Sequence, residues 1–409
     1  MATSLGALNA LNFFVADVRD GLGPFLGVFL QGEGWSPAEI GLVMTVGGYA
    51  GMLATTPFGI LVDGTRAKRA MMVVAALAVI AATMAILVMP TVPVTALSQI
   101  VTGIAGAVVA PAVAGITLGL VRRSGFARQL GRNEAFNHAG NVFAALLGGS
   151  FGYLFGLQAI FYLLAAMALA SIAAALAIDP RAIDHAAARG SVAADRVPVR
   201  LSALFRSRPL LILAVVLALF HLGNAAMLPL LGQALVARGA GDPSAFTAAT
   251  IIVAQLTMIP MALLAARLAQ TRGYWILFVA ALAALPVRGV MAAFVTSPWG
   301  LVPIQVLDGV GAGLLGVAVP GLVARILAGT GHVNAGLGAV LTFQAIGAAS
   351  STALAGAVAQ SAGYAVAFLV LAAIAAAGLA VWLLATAVVA PACREESAAG
   401  PKLRATTGD

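Results

Sequence analysis

Residues 8–30 read LNALNFFVADVRDGLGPFLGVFL. At 1.5 Å per residue a helix of ~20 residues crosses the hydrocarbon core of a bilayer. The run has that length, yet its middle carries Asp17, Arg19 and Asp20. Each charge at that depth costs about 2.5–3.5 kcal/mol on insertion scales. Such side chains persist only where they face protein or water, so the remainder of the chain is expected to surround them with a wetted passage.

Composition agrees with a membrane setting. Of 409 residues, 62% are hydrophobic and 9% charged, against roughly 25% charged in soluble domains. The formal charge is +8, and all but two of the 22 basic residues are arginine, the exceptions being Lys68 and Lys402. These arginines sit in short loops between apolar runs, which speaks for membrane orientation rather than a nucleic-acid partner. Cys393 is the single cysteine, so neither a disulfide framework nor a thiolate metal cluster is available. No cleavable leader is evident ahead of the first span. No cofactor or metal motif is found, and no nucleophile–base pair points to an enzyme.

Working outward, twelve apolar spans are expected: about 8–30, 39–62, 70–89, 94–120, 133–155, 158–178, 210–236, 244–267, 273–295, 299–325, 335–359 and 364–389. Ser36-Pro37-Ala38-Glu39 reads as a capping box with proline at the first helical position, and Asp242-Pro243 opens span 8 in the same way. Alternate loops are rich in arginine, while the other set holds only Arg238. The positive-inside rule then places both termini in the cytoplasm of a multi-pass inner (plasma) membrane protein. The expected division is a six-helix bundle over 1–178, a cytoplasmic linker over 179–209, a second bundle over 210–390 and a disordered tail over 391–409. The end of the linker, Arg200–Arg208, is expected as a short interfacial helix.

The two bundles repeat. Pro24-Phe25-Leu26-Gly27 recurs as Pro229-Leu230-Leu231-Gly232 at an offset of 205, and Gln99-x-x-x-Gly103 as Gln305-x-x-x-Gly309 at 206. Phe136-Asn137-x-x-Gly140 recurs as Phe343-Gln344-x-x-Gly347 at 207. A parallel repeat of this kind implies an axis along the membrane normal, with a site near the midplane between the halves.

The segment Gly59-Ile60-Leu61-Val62-Asp63-Gly64-Thr65-Arg66-Ala67-Lys68-Arg69 resembles the loop motif of the major facilitator superfamily, Gly-x-Leu-Ala-Asp-Arg-x-Gly-Arg-Lys-Arg. The resemblance spans the 6+6 layout of the whole chain. It implies an all-α membrane protein of twelve transmembrane helices in two pseudo-symmetric six-helix bundles, moving a small molecule by alternating access. Gly59, Asp63, Arg66, Lys68 and Arg69 would form the conformational-switch loop, with the cations in the lipid interface. Two departures stand out: Gln99 replaces the family's arginine in span 4, and Ala144-Ala145 replace Gly-Pro in the antiporter motif of span 5. Gly140, Gly148 and Gly149 keep that motif's glycines and imply export, although glycines in an apolar helix also serve packing.

On a helix Asp17 and Asp20 share a face with Gly21 and Pro24, while Arg19 points elsewhere. Two carboxylates on one cavity face repel, so one of them is expected to hold and release a proton; neutralising Arg19 is the structural alternative. By depth, His221 and Asn224 on span 7 fall in the Asp17–Asp20 layer. Arg288 and Asp308 lie about 12–13 Å from the same end of adjacent spans, which suggests a structural ion pair. Glu134, His138, Asn137 and Asn141, at i,i+4 spacings, are expected as a hydrogen-bond strip or gate. Gly311-Ala312-Gly313-Leu314-Leu315-Gly316 fits a dinucleotide fingerprint, but inside a membrane span it reads as close helix packing.

The functional expectation is a secondary transporter, functional as a monomer, that exports a small organic, neutral or cationic solute in exchange for protons. A proton symporter or anion importer with Arg19 as the anion contact is the alternative within transport, and a non-transporting sensor or assembly factor the alternative outside it.

Overall fold

The computed structural model describes residues 2–19, 22–185, 207–239, 242–295, 298–327 and 333–394, and among these every regular element is helical. The first half comprises α1 (Ala2–Arg19), α2 (Pro24–Gly32), α3 (Pro37–Gly64), α4 (Lys68–Val88), α5 (Val92–Phe155) and α6 (Gln158–Ala177). The second comprises α7 (Arg208–Asn224), α8 (Met227–Arg238), α9 (Pro243–Thr271), α10 (Trp275–Phe294), α11 (Leu301–Ile326), α12 (Val333–Ala362), α13 (Tyr364–Leu384) and a short α14 (Thr386–Cys393).

These helices make the twelve spans with three local differences. Span 1 is two helices, interrupted before Pro24, and span 7 breaks between Asn224 and Met227. The two breaks lie at the repeat offset, since α1 ends at Arg19 and α7 at Asn224. Spans 4 and 5 are limbs of α5, parted at Arg122, whose φ of 55° is positive for a residue with a Cβ. Gln99 and Gly103 on the first limb meet Gly47 and Gly51 of α3, while Gly140 and Gly148 on the second meet Phe13 and Phe25. Each limb therefore runs parallel to its neighbour, and because those neighbours run in opposite directions the chain reverses between the limbs. Finally, α14 continues to Cys393, past the boundary expected at 390, and Cys393 is buried. Residues 186–206 of the linker, which hold most of the expected interfacial helix, and residues 395–409 of the tail lie outside the described residues.

Ten described helical segments are long and apolar enough to cross a membrane. Of the remaining two spans, the first is represented by the shorter apolar segment Thr3–Ala16. Helix starts follow their sequence punctuation. Ser36 Oγ accepts from Glu39 N while Glu39 Oε2 accepts from Ser36 N at 2.9 Å, and Asp242 Oδ1 accepts from Ser244 N and Ala245 N. Caps of this kind contribute about 1 kcal/mol each.

Packing repeats as the sequence does. In the first half α1 packs on the second limb of α5 and on α6, α3 on the first limb of α5, and α4 on α5 and α6. The second half reproduces these pairs as α7 on α12 and α13, α9 on α11, and α10 on α11 and α13. Glycine sets the closest approaches. A Cβ on Gly140 would lie 2.0 Å from the Phe13 carbonyl oxygen, and one on Gly347 2.1 Å from that of Ala218.

The loop after α3 gives two of its cations a local partner. Lys68 is 1% exposed and donates from Nζ to the carbonyls of Val62 and Thr65, at 2.6 and 2.8 Å. Arg69 donates to Ala175 and Leu176 at the end of α6. These two cations cap helix C-termini, where the macrodipole and the orphan carbonyls favour positive charge. Arg66 is exposed, Gly59 has no neighbour close to where its Cβ would be, and the side chain of Asp63 lies outside the described residues.

Candidate functional site

The halves meet on the side opposite the chain termini, called here the far side. Three helix pairs form the seam: α3 with α12, α5 with α9, and α2 with α8. Between α3 and α12 the backbones nearly touch, because a Cβ on Gly41 would lie 2.2 Å from the Thr352 carbonyl oxygen and one on Gly356 2.2 Å from that of Pro37. Thr45 Oγ1 donates to the Ala349 carbonyl at 2.8 Å, and the Tyr49 and Ser350 hydroxyls bond at 2.6 Å. Between α5 and α9, Gly149 and Gly152 admit Ala248 and Ser244. Void space in the α3–α8–α12 corner of the seam is only about 10 Å³.

Towards the termini side the same helices part. The second limb of α5, α9, α11 and Phe13 of α1 enclose a cavity of about 910 Å³, walled by Phe13, Phe143, Leu146, Met258, Ile259 and Val317 among others. Its polar groups are Glu134, His138 and Gln255. His138 Nδ1 lies 2.9 Å from Gln255 Oε1, so the ring nitrogen donates across the two halves. A second cavity of about 340 Å³ shares Ala312 and Gly316 with the first and is lined by His221, Asn224 and Gln344. His221 Nδ1 donates to the Leu217 carbonyl at 3.0 Å, which leaves Nε2 as its second polar atom.

Behind Asn224 lies the buried charge. Arg288 Nη1 is 2.8 Å from Asp308 Oδ1 and donates to Asn224 Oδ1 at 2.5 Å. The guanidinium is 1% exposed, and its Nε and Nη2 have no hydrogen-bond partner among the described residues. Arg288 thus ties α7, α10 and α11 together behind the Asn224 wall of the smaller cavity, and it holds the Asn224 amide oxygen towards itself.

Of the expected site residues, the structure brings Asn224, Arg288 and Asp308 together, and places His221 beside them on the cavity wall. Asn137 receives only a 3.5 Å bond from Asn141. Asp20, and the side chains of Asp17 and Arg19, lie outside the described residues. Gly140, Gly148 and Gly149 serve packing, against Phe13, Phe25 and Ala248 respectively. Gly309 and Gly313 likewise bring α11 against α9, as the reading of the glycine-rich run as helix packing expects.

Sequence reasoning missed a buried network in the first half. Gln129 Nε2 lies 2.9 Å from Asn9 Oδ1 and 3.0 Å from Asn133 Oδ1, and Asn133 Nδ2 donates to Thr117 Oγ1 at 2.8 Å. Its signal was the i,i+4 spacing of Gln129 and Asn133, hidden by the adjacent arginines, which suggested a loop. Gln255 was also missed, because a lone glutamine in an apolar span has no pattern.

The sequence profile described as Major Facilitator Superfamily matches residues 5–304. The chain belongs to the major facilitator superfamily. Two proteins of Mycobacterium tuberculosis, strains CDC 1551 / Oshkosh and H37Rv, each described as an uncharacterized MFS-type transporter, are 44% identical over 384 residues; the match covers 93% of this chain and 92% of each relative. Among solved structures, a mutant of the nucleoside transporter NupG superposes with a TM-score of 0.79 at 13% identity, covering 93% of this chain and 99% of that one. A POT family transporter in complex with a thioalcohol-conjugated peptide gives 0.75 at 12%, covering 94% and 96%. At such identities the likeness is one of fold. The superfamily member described here is a multi-pass secondary transporter of twelve helices.

Proposed function

We propose that this transporter exports a small, largely apolar organic solute, neutral or cationic, in exchange for protons, as a monomer in the plasma membrane with both termini cytoplasmic. One observation carries the reading. The halves are sealed by glycine-mediated backbone contact on the far side and enclose a cavity of about 910 Å³ towards the termini side. The arginine-rich loops lie on that same side, so the positive-inside rule supports a cavity facing the cytoplasm. Its aromatic and aliphatic walls suit an organic body, while Glu134, His138, His221 and Asn224 supply a few directional contacts. Rocking one half against the other would open the far-side seam and close the cavity mouth. Asp17 and Asp20 are the proposed proton carriers, with Arg19 as their counter-charge.

The test is transport by the purified chain in proteoliposomes with an acidic lumen. A panel of organic solutes is offered to vesicles in which the cytoplasmic face is outward. Expected is uptake of at least one solute that depends on the pH gradient and loses that dependence in Asp20→Asn or Asp17→Asn. Uptake equally indifferent to the gradient in wild type and both variants removes the proton claim. Accumulation driven instead by protons flowing with the solute favours symport, with Arg19 contacting an anion. Binding of a solute without movement of any favours the sensor reading.

A further inference from the structure

Gln305, on α11, is fully buried, and neither Nε2 nor Oε1 of its side chain has a hydrogen-bond partner among the described residues. A buried amide without partners is costly. It borders a separate cleft of about 190 Å³, also lined by Phe246, Ala249, Val253, Trp299 and Val302. On α9, Phe246, Ala249 and Val253 fall on the face roughly opposite Ser244, Ala248 and Gln255, which meet α5. The cleft therefore opens away from the translocation cavity, towards the bilayer. Val302 and Trp299 at its edge are 44% and 83% exposed.

The repeat sets Gln305 beside a differently packed counterpart. In the first half Gly47 lets the equivalent Gln99 pack directly against α3. By contact, Ala254 stands where Gly47 does, since Gly103 approaches the Gly47 carbonyl and Gly309 that of Ala254. α9 and α11 stay in contact at Gly309, one turn further along, so the cleft is confined to the level of Gln305 and the start of α11. Depth narrows the occupant. Gln305 lies one turn, ~6 Å, below the start of α11, and Trp299 just beyond that start is the residue type enriched at the membrane interface. An amide at that level meets the ester region of a lipid rather than its chain ends.

We propose that this cleft is a lipid site, in which the Gln305 amide donates to an ester carbonyl of a membrane glycerolipid and the upper acyl chain lies against Phe246, Val253 and Val302. The site is independent of the transport cycle proposed above. The test uses the full chain, delipidated in detergent and exposed to dioleoylphosphatidylcholine or to its diether analogue, which lacks the carbonyls. Lipid retained is counted by native mass spectrometry. Expected is a preference for the diester of ~5-fold or more, abolished in Gln305→Leu, with both lipids lost in Val302→Trp, where the indole fills the cleft. Equal retention of the two lipids by wild type overturns the proposal without recourse to any variant. So does a preference that survives in Gln305→Leu, because the carbonyl would then be read elsewhere.

Discussion

The two halves share their packing, and each holds a different buried polar cluster among the described residues. In the first, Asn9, Gln129, Asn133 and Thr117 join α1 to both limbs of α5 through neutral amides and a hydroxyl. In the second, the buried polar centre is charged: Arg288 holds Asp308 and Asn224, with two guanidinium nitrogens unpartnered among the described residues. A satisfied neutral network rigidifies. A buried cation with spare donors can exchange partners, and its partner Asn224 lines a cavity. The comparison teaches that the repeat preserves backbone approach, which packing demands, while its polar side chains diverge towards separate tasks. On this reading the Asn9–Gln129–Asn133–Thr117 network is scaffold, and the Arg288 cluster is the adjustable contact.

Five measurements break or sharpen that contrast. The largest effect is expected where the halves join: Gly41→Val places side-chain atoms into the Thr352 carbonyl, so the far-side seam cannot close and transport falls to background. A cysteine introduced at Thr45 should then become accessible from the far side; continued turnover would mean that this seam is not part of the cycle. Next, Asp308→Asn strands the Arg288 cation, at an expected cost of about 3–5 kcal/mol in chemical unfolding in detergent. Arg288→Met added to it should recover much of that loss; two losses that simply add would show the pair to be uncoupled.

Gly140→Val and Gly347→Val come third. Because the added Cβ atoms would meet carbonyl oxygens at 2.0 and 2.1 Å, each should destabilise by about 1–3 kcal/mol or more, and by similar amounts. A large disparity would contradict the shared packing. Fourth, Asn133→Leu orphans the partners on Gln129 and Thr117 and should cost about 1–2 kcal/mol, without altering substrate affinity if the first-half network is scaffold. A changed affinity at unchanged stability would assign it a functional part. The smallest effect concerns Cys393. Burial pushes its thiol up to about 12, only partly opposed by Arg325, so it stays protonated at neutral pH. It should react with iodoacetamide far more slowly than a free thiol, with the rate rising only well above pH 9; rapid labelling at pH 7.5 would show that α14 opens.

Much of the architecture was legible in the chain. Long apolar runs, proline and carboxylate caps, and the offsets between the halves are local or periodic signals, and they survive folding because a bilayer leaves a helix few alternatives. The site was legible only in part. Asn224, His221, Arg288 and Asp308 stood out because polar groups in apolar spans are conspicuous. Gln255 and Gln129 did not, since their importance lies in partners over 100 residues away. The carbonyl partners of Lys68 and Arg69 were not legible, because a cation near a helix end can satisfy lipid phosphate or backbone carbonyl and sequence carries no term to choose between them.

Hydropathy, charge alternation and repetition, all read along one dimension, determined a twelve-span bundle of matched halves. Which carboxylate meets which guanidinium, which end of the molecule is sealed, and where a glutamine is left without a partner were decided by the packing of helices across the fold. Those outcomes depend on ångström-scale approach between distant backbones, set by single glycines whose neighbours the linear chain does not name.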